Sequence, residues 1–279
     1  MDNPYKPIPV VLLDSYFETN DRQLKSFKFK ILDENIEKSF DYKPGQFAQL
    51  SVLGKGEAPF GIASSPTEGN ELLFTINRIG SVTQALHELE KGERIGIRGP
   101  LGNWYPVDKF EGCDVVIVGG GYAFTTLRSL YLYLRDPIRR DKYGKITIVY
   151  GAREPGLLLY REDLEEWKKD ENLDLVLTID TPAEGWTGKV GFVPPVLKET
   201  APSSENAYAV VCGPPVMIKY TLPVLLELGF SKDKIYTSLE MRMKCGIGKC
   251  GRCNIGHKYI CVDGPVFSMA ELDELKADF

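Results

Sequence analysis

Four of the chain's six cysteines, Cys245, Cys250, Cys253 and Cys261, fall within seventeen residues in the spacing C-x4-C-x2-C-x7-C. Glycines fill the gaps: Gly246, Gly248, Gly251 and Gly256. Glycine has no Cβ and tolerates positive φ, so such a loop can turn tightly and bring backbone N–H groups up to the sulfurs. The order C-x4-C-x2-C…C is the plant-type arrangement for a [2Fe–2S] cluster held by four thiolates. Structural zinc, which pairs cysteines as C-x2-4-C at each end, is the competing reading, and disulfides are a third. If the metal is a redox cluster, the rest of the chain must account for its electrons.

The 279 residues are enough for two domains, each with its own core. A hydrophobic content of 43% with 26% charged residues is that of an ordinary globular protein. The net charge of −5 implies no basic face and argues against nucleic acid as a partner. The start, Met1-Asp-Asn-Pro-Tyr5, lacks a cationic segment followed by an apolar one. No apolar run approaches the roughly 18 residues that span a bilayer. A cytoplasmic setting without a direct membrane span follows, and a reducing compartment favours metal ligation over disulfides. Cys113 and Cys212 border apolar runs and read as buried, inert thiols.

Residues 1–107 hold short strand-like runs at Ile8–Leu13, Leu24–Leu32, Gln46–Val52, Gly61–Ala63, Leu72–Ile79 and Arg94–Arg98, separated by turn signals at Lys43-Pro-Gly45, Glu68-Gly-Asn70 and Gly99-Pro-Leu-Gly102. Lys25–Ile31 alternates polar and apolar residues. A small antiparallel barrel is expected. Two stretches suit cofactor chemistry. Pro59-Phe60-Gly61-Ile62-Ala63-Ser64-Ser65-Pro66 can lay backbone polar groups against a planar ring. Asn77-Arg78-Ile-Gly80-Ser81-Val82-Thr83 leads into a short helix, Gln84–Leu89, whose start could take a pyrophosphate. A plain capped surface helix is the alternative.

From 108 to 235 strands and helices alternate. Asp114–Val118 reads as a strand buried on both faces and runs into Gly119-Gly120-Gly121, then a helix over Ala123–Leu134. Strand, glycine turn and helix form the arrangement in which dinucleotide phosphates meet backbone amides. Strands at Lys145–Tyr150, Leu173–Ile179 and Tyr208–Cys212, with helices at Tyr160–Lys169 and Val216–Leu228, complete a parallel-sheet α/β unit. The glycines do not spell G-x-G-x-x-G, and Tyr122 and Phe124 follow them. Packing of the helix onto the sheet is the alternative use of those two rings.

Lys43-Pro-Gly-Gln-Phe47, Pro59-Phe60…Ser64-Ser-Pro66, Arg98-Gly-Pro-Leu-Gly102, Cys212-Gly213-Pro214-Pro-Val-Met217 and Leu239–Gly264, taken in order, resemble the ferredoxin-NADP reductase superfamily over nearly the whole chain. The likeness is to the branch with sulfhydrogenase gamma subunits, the corresponding anaerobic sulfite reductase subunits and dihydroorotate dehydrogenase electron-transfer subunits. It implies a FAD-binding barrel (FMN in some relatives) over 1–107, an NAD(P)H-binding α/β domain over 108–235 and a [2Fe–2S] segment over 236–279. Cys212, Gly213 and Pro214 would lie near the nicotinamide. Gly61 stands where that family commonly has a serine near flavin N5. The implied partners are iron–sulfur and catalytic subunits of a larger complex, of hydrogenase or sulfite-reductase type. A dihydroorotate dehydrogenase partner, and an adaptor (flavin/iron–sulfur or zinc) that binds no NAD(P), are the rival readings.

Among isolated side chains, Arg128 and Arg153 could each meet a nucleotide phosphate, Arg153 alternatively the adenosine ribose, or both are ordinary surface arginines. His257 could hydrogen-bond near the cluster or lie exposed, and His87 reads as structural. No acid–base pair is apparent or needed for hydride and electron transfer.

Overall fold

The computed structural model describes residues 3–275. The alternating run forms β2 (Leu24–Ile31), with Phe27 and Phe29 fully buried and Lys30 outside. It joins β1 (Ile8–Phe17), β3 (Phe47–Val52), β4 (Gly56–Gly61), β5 (Leu72–Asn77) and β6 (Arg94–Leu101) in an antiparallel sheet of order β4-β3-β6-β1-β2-β5. The two edge strands approach each other, curling the sheet into a barrel around Val10, Leu12, Leu50, Phe74, Ile76 and Ile97. Two short helices, α1 (Glu34–Ser39) and α2 (Ser81–His87), cover its surface.

Two expectations are corrected here. The turn read at Gly99–Gly102 is strand through Leu101, which pairs with Phe47, and the chain turns only at Gly102, with φ +73°. The strand read at Gly61–Ala63 ends at Gly61. Beyond it the Ile62 and Ala63 N–H groups bond singly to Gln46 O and Leu73 O, on different neighbours, so no ladder continues.

The second sheet contains β7 (Asp114–Gly120), β8 (Ile146–Ala152), β9 (Leu173–Ile179), β10 (Lys189–Val190), β11 (Ala207–Cys212) and β12 (Ile235–Ser238), all parallel, in the order β10-β9-β8-β7-β11-β12. Alternate residues of β7 face opposite layers. Val115 and Ile117 meet α3 (Phe124–Arg135) and α4 (Arg161–Trp167), while Val116 and Val118 meet α5 (Val193–Thr200) and α6 (Pro215–Glu227). The run at 114–118 is continuously apolar because both its faces are covered. The chain order reverses between β7 and β11, so the crevice at their carboxyl ends is the switch point where open α/β sheets bind ligands.

The cysteine-rich segment does not stand off as a separate lobe. After a hairpin of β13 (Asn254–Ile255) and β14 (Lys258–Tyr259) and a turn of helix, α7 (Ile260–Asp263), the chain adds β15 (Val266–Ser268) antiparallel to β12. It then enters α8 (Met269–Glu274), where Ser268 and Glu271 cap each other.

The barrel and the α/β sheet are tied by buried polar contacts. Glu18, 5% exposed, accepts from Ser26 Oγ and from the N–H of Tyr160. Tyr160 is left-handed at φ +54° and its hydroxyl lies 2.7 Å from Thr75 Oγ1. Burial pushes the Glu18 carboxyl up, against the pull of its bonds from Ser26 and Tyr160.

Candidate functional site

Gly246, Gly248, Gly251 and Gly256 all have positive φ, between 52° and 73°, and the turn through Gly246 and Gly248 brings N–H groups up to sulfur. Gly248 donates to Cys261 Sγ at 3.1 Å, and Lys249 and Cys250 donate to Cys245 Sγ at 3.2 and 3.4 Å. Burial would raise the Cys245 thiol, but the backbone N–H groups of Ile247, Cys250 and Lys249 and the Cys250 side chain outweigh it and bring it down to about 6. Cys261 is pushed up to about 12, chiefly by burial; the Gly248 N–H opposes this and the neighbouring Cys253 thiol adds to it. Cys253 and Cys261 are buried, whereas Cys250 is exposed.

Among the described residues no set of three His, Cys, Asp or Glu side chains is already assembled to hold a metal ion; the cysteines neighbour one another as Cys245 with Cys250 and Cys253 with Cys261. Four thiolates repel one another, and coordination supplies the free energy that draws them together. The donor set nevertheless fits an iron–sulfur cluster. It offers four thiols, backbone N–H groups directed at two of the sulfurs, and a nonpolar bed of Met243, Ile255, Ile260 and Phe267.

That bed continues into the barrel. Phe47 of β3 is in the same buried cluster as Cys253 and Cys261, and its backbone pairs with Gly61 of β4. Phe47 thus links the strand read as flavin-binding to the core that buries two of the cysteines. Arg98 of β6, 4% exposed, donates to Glu57 at 2.6 Å and to Cys245 O at 3.1 Å, and its hydrogen bonds hold the Glu57 carboxyl below its usual range. Asn103 donates to Asp263 O and Val266 O at 2.8 and 2.7 Å and accepts from the Val266 N–H at 2.8 Å. Phe47, Arg98 and Asn103 were not singled out by sequence reasoning, although each lies in or beside a motif noted above.

On the barrel side, Pro59 and Phe60 lie on β4 and Ile62, Ala63, Ser64 and Ser65 are buried beyond it. Both serine hydroxyls are engaged internally. Ser64 Oγ accepts from Tyr42 and from the Leu73 N–H, and Ser65 Oγ pairs with Thr67. Gly61 makes room for Thr126 of α3, whose Cγ2 occupies the place of a Cβ there. Thr126 Oγ1 lies 3.2 Å from the Tyr105 hydroxyl and 3.8 Å from Cys212 Sγ. At the second stretch Thr83 Oγ1 accepts from the Ile79 and Gly80 N–H groups at 2.9 and 2.8 Å, shaping the turn. Asn77 and Val82 are half-buried, and Arg78 and Ser81 are exposed.

At the switch point, Gly119 and Gly120 serve packing. A Cβ on Gly119 would meet the Phe124 ring at 2.5 Å, and Met217 fills the same space beside Gly120 and Gly213. Phe124 in turn stacks on Tyr150, centroids 3.9 Å apart. Of the triplet only Gly121, at φ +53°, faces open space. Tyr122 crosses to the barrel, donating to Thr75 O at 3.0 Å. Cys212, buried, ends β11 and is followed by half-buried Gly213 and exposed Pro214.

The phosphate reading of Arg128 is corrected. Its guanidinium is buried and donates to Glu68, Asp163 and Ala63 O at 2.6–3.0 Å. Burial disfavours its charge, but the two carboxylates overcome this and raise its pKa. Arg153 is exposed, as is His257. His87 is structural: its Nε2 lies 2.9 Å from Ile76 O, and burial lowers its pKa. Cys113 is half-exposed, not buried, beside Asn206 Oδ1 at 3.3 Å.

A barrel, a parallel sheet with an open switch point and a cysteine segment seated against both define a reductase with two cofactor-binding domains and an iron–sulfur site. Comparison with known proteins agrees part by part. Residues 17–105 match the oxidoreductase FAD-binding domain, 117–222 the oxidoreductase NAD-binding domain, and 240–273 the iron–sulfur cluster binding domain of dihydroorotate dehydrogenase B. The chain is 38% identical to sulfhydrogenase 1 subunit gamma of Pyrococcus furiosus, across 97% of this chain and 94% of that one. It is 35% identical to a probable dihydroorotate dehydrogenase B (NAD(+)) electron transfer subunit of Thermococcus kodakarensis, across 90% and 92%. Among solved structures, the NADH-dependent reduced ferredoxin-NADP oxidoreductase aligns with a TM-score of 0.73 at 25% identity, across 95% of this chain and 90% of that one. The chain belongs to the ferredoxin-NADP reductase-like family, in the branch of sulfhydrogenase gamma and dihydroorotate dehydrogenase B electron-transfer subunits.

Proposed function

We propose that the chain is the electron-transfer flavoprotein subunit of a larger complex, moving electrons between NAD(P)H, FAD and a [2Fe–2S] cluster and a catalytic partner of hydrogenase or sulfite-reductase type. A flavin, when bound, converts the two-electron hydride of the nucleotide into the single electrons a cluster accepts. Residues 1–107 would hold the flavin, with Pro59–Ser65 along its ring and Asn77, Arg78 and Gly80–Thr83 at its pyrophosphate. Residues 108–235 would hold the nucleotide at Gly119–Gly121, Arg153 and Cys212–Pro214. Cys245, Cys250, Cys253 and Cys261 of residues 236–279 would ligate the cluster.

The observation that carries this reading is the position of Phe47, backbone-paired with Gly61 on one side and part of the buried cluster that contains Cys253 and Cys261 on the other. It supports a short route from ring to cluster through the chain's own core. A cytoplasmic location belongs to the same proposal; no helix among the described residues is long and apolar enough to cross a membrane.

The test is anaerobic purification with its associated subunits. Flavin and iron–sulfur absorption, a dithionite-induced EPR signal and bleaching by NADH or NADPH are expected. Protein without inorganic sulfide, EPR-silent after dithionite, would refute the reading. The match of 240–273 to the dihydroorotate dehydrogenase B cluster domain favours a second reading in which that enzyme is the partner. The identity of the copurifying subunit decides between them.

A further inference from the structure

Two barrel strands reach the cysteine segment from inside the molecule. Gln49 of β3 and Arg98 of β6 are cross-strand partners, and the other backbone partner of Gln49 is Pro59, on the strand read as flavin-binding. Both side chains are buried, and both meet the backbone around Cys245. Arg98 Nη2 donates to Cys245 O at 3.1 Å, and Gln49 Nε2 lies 3.5 Å from Lys244 O. Gly246 is so close that a Cβ there would stand 2.8 Å from Leu101 Cδ1 and 3.3 Å from Gln49 Nε2. The Cys245 turn therefore rests directly on β3 and β6.

The charges at this contact are uneven. Glu57 holds Arg98 in a two-point fork, Nε to Oε1 at 2.9 Å and Nη2 to Oε2 at 2.6 Å, and Arg98 Nη1 donates to Pro4 O at 3.1 Å. Among the described residues Glu57 has no hydrogen bond or ion pair to the cysteine segment, whereas Arg98 has one. The Glu57 side chain keeps 29% exposure against 3% for Arg98, so water screens the anion more than the cation. A net positive field therefore reaches Cys245. Adding an electron to an iron–sulfur group adds negative charge, which a buried cation stabilises. We propose that Arg98 is a positioning residue for electron transfer: it acts through Cys245, and its charge, trimmed by Glu57, raises the potential of the iron–sulfur group that Cys245 would ligate. This rests on the electron-transfer reading.

The test is an EPR-monitored redox titration of the anaerobically purified protein with its associated subunits, iron and sulfide being counted in each variant. Arg98→Gln should lower the midpoint potential by at least about a threefold change in the one-electron equilibrium constant, roughly 28 mV at 59 mV per tenfold. Glu57→Gln, which leaves Arg98 and its bond to Cys245 in place, should raise the potential by a smaller amount. The double variant should fall between the two, and Arg98→Lys, which keeps the charge, should stay closer to wild type than Arg98→Gln. A merely mechanical support would be loosened by either single change and would shift the potential the same way in both. Shifts of one sign, no shift, or a double variant further from wild type than either single would overturn the proposal. If Arg98→Gln loses its iron, the sign of the Glu57→Gln shift decides. Wild-type protein without iron and sulfide would overturn the electron-transfer reading as well, whereas a loaded wild type whose potential ignores these charges overturns this proposal alone.

Discussion

The methyl group of Thr126, on the first turn of α3, fills the space that a Cβ on Gly61 would need at the end of β4. Gly61 has no positive φ to explain its lack of a side chain, so the reason is steric and comes from the other sheet. Gly61→Ala should therefore cost about 1–3 kcal/mol through overpacking. In a Thr126→Ser background, where the methyl is gone and the next atom is the Thr126 Cβ at 3.9 Å, the same change should cost almost nothing. Urea unfolding of the four proteins in this double-mutant cycle measures the coupling, and equal costs in both backgrounds would rule out the contact.

Arg128 is expected to matter for stability rather than for nucleotide binding. Its partners Glu68 and Asp163 keep 35% and 29% side-chain exposure, so water can partly rescue them. Arg128→Met should lower stability by about 2–3 kcal/mol, toward the small end for a broken buried ion pair. The KM for NADH and for NADPH should stay at the wild-type value. A raised KM with unchanged unfolding would restore the phosphate role.

Glu18 gives a pH signature. Its folded-state pKa is raised from the ordinary 4.5 by burial, so the native state holds its proton to higher pH than the unfolded chain does. Its contribution is most favourable below the ordinary value and is lost as pH climbs through the raised one. Glu18→Gln removes that titration. Thermal unfolding from pH 4 to pH 8 should show wild-type stability falling relative to Glu18→Gln as pH rises, and parallel curves would exclude the linkage.

The cysteines separate by burial. Cys253→Ala and Cys261→Ala should both abolish bound iron and sulfide and also loosen the bed they share with Phe47 and Phe267. Cys250→Ala, at an exposed position, should abolish the cluster while leaving the barrel and sheet as stable as in the wild type. Cys113→Ala should keep full iron and sulfide content. Metal analysis with limited proteolysis of the cysteine segment distinguishes these outcomes.

Features written in local spacing were legible in the sequence. The cysteine–glycine run, the alternation of Lys25–Ile31 and the apolar run after Asp114 each carry their meaning within a few residues. What was not legible depends on partners distant in the chain. Arg128 looked free because Glu68 and Asp163 stand 60 and 35 residues away. That Gly119 and Gly120 also serve packing was hidden, because nothing nearby reveals that Met217 folds back over Gly120. Helix α5 was not anticipated from the sequence; Pro194 and Pro195 stand in its first turn, where prolines are tolerated. Strand β15, three residues long, acquires its identity only by pairing with β12.

Asn103 fastens the carboxyl-terminal side of the cysteine segment to the end of the barrel, while β12 anchors its other side in the sheet. A segment stitched at both ends has no hinge on which to swing. Traffic of charge inside this molecule is therefore governed by an interval set at folding, not by a tethered shuttle in search of its target. Any gating must come from outside the segment.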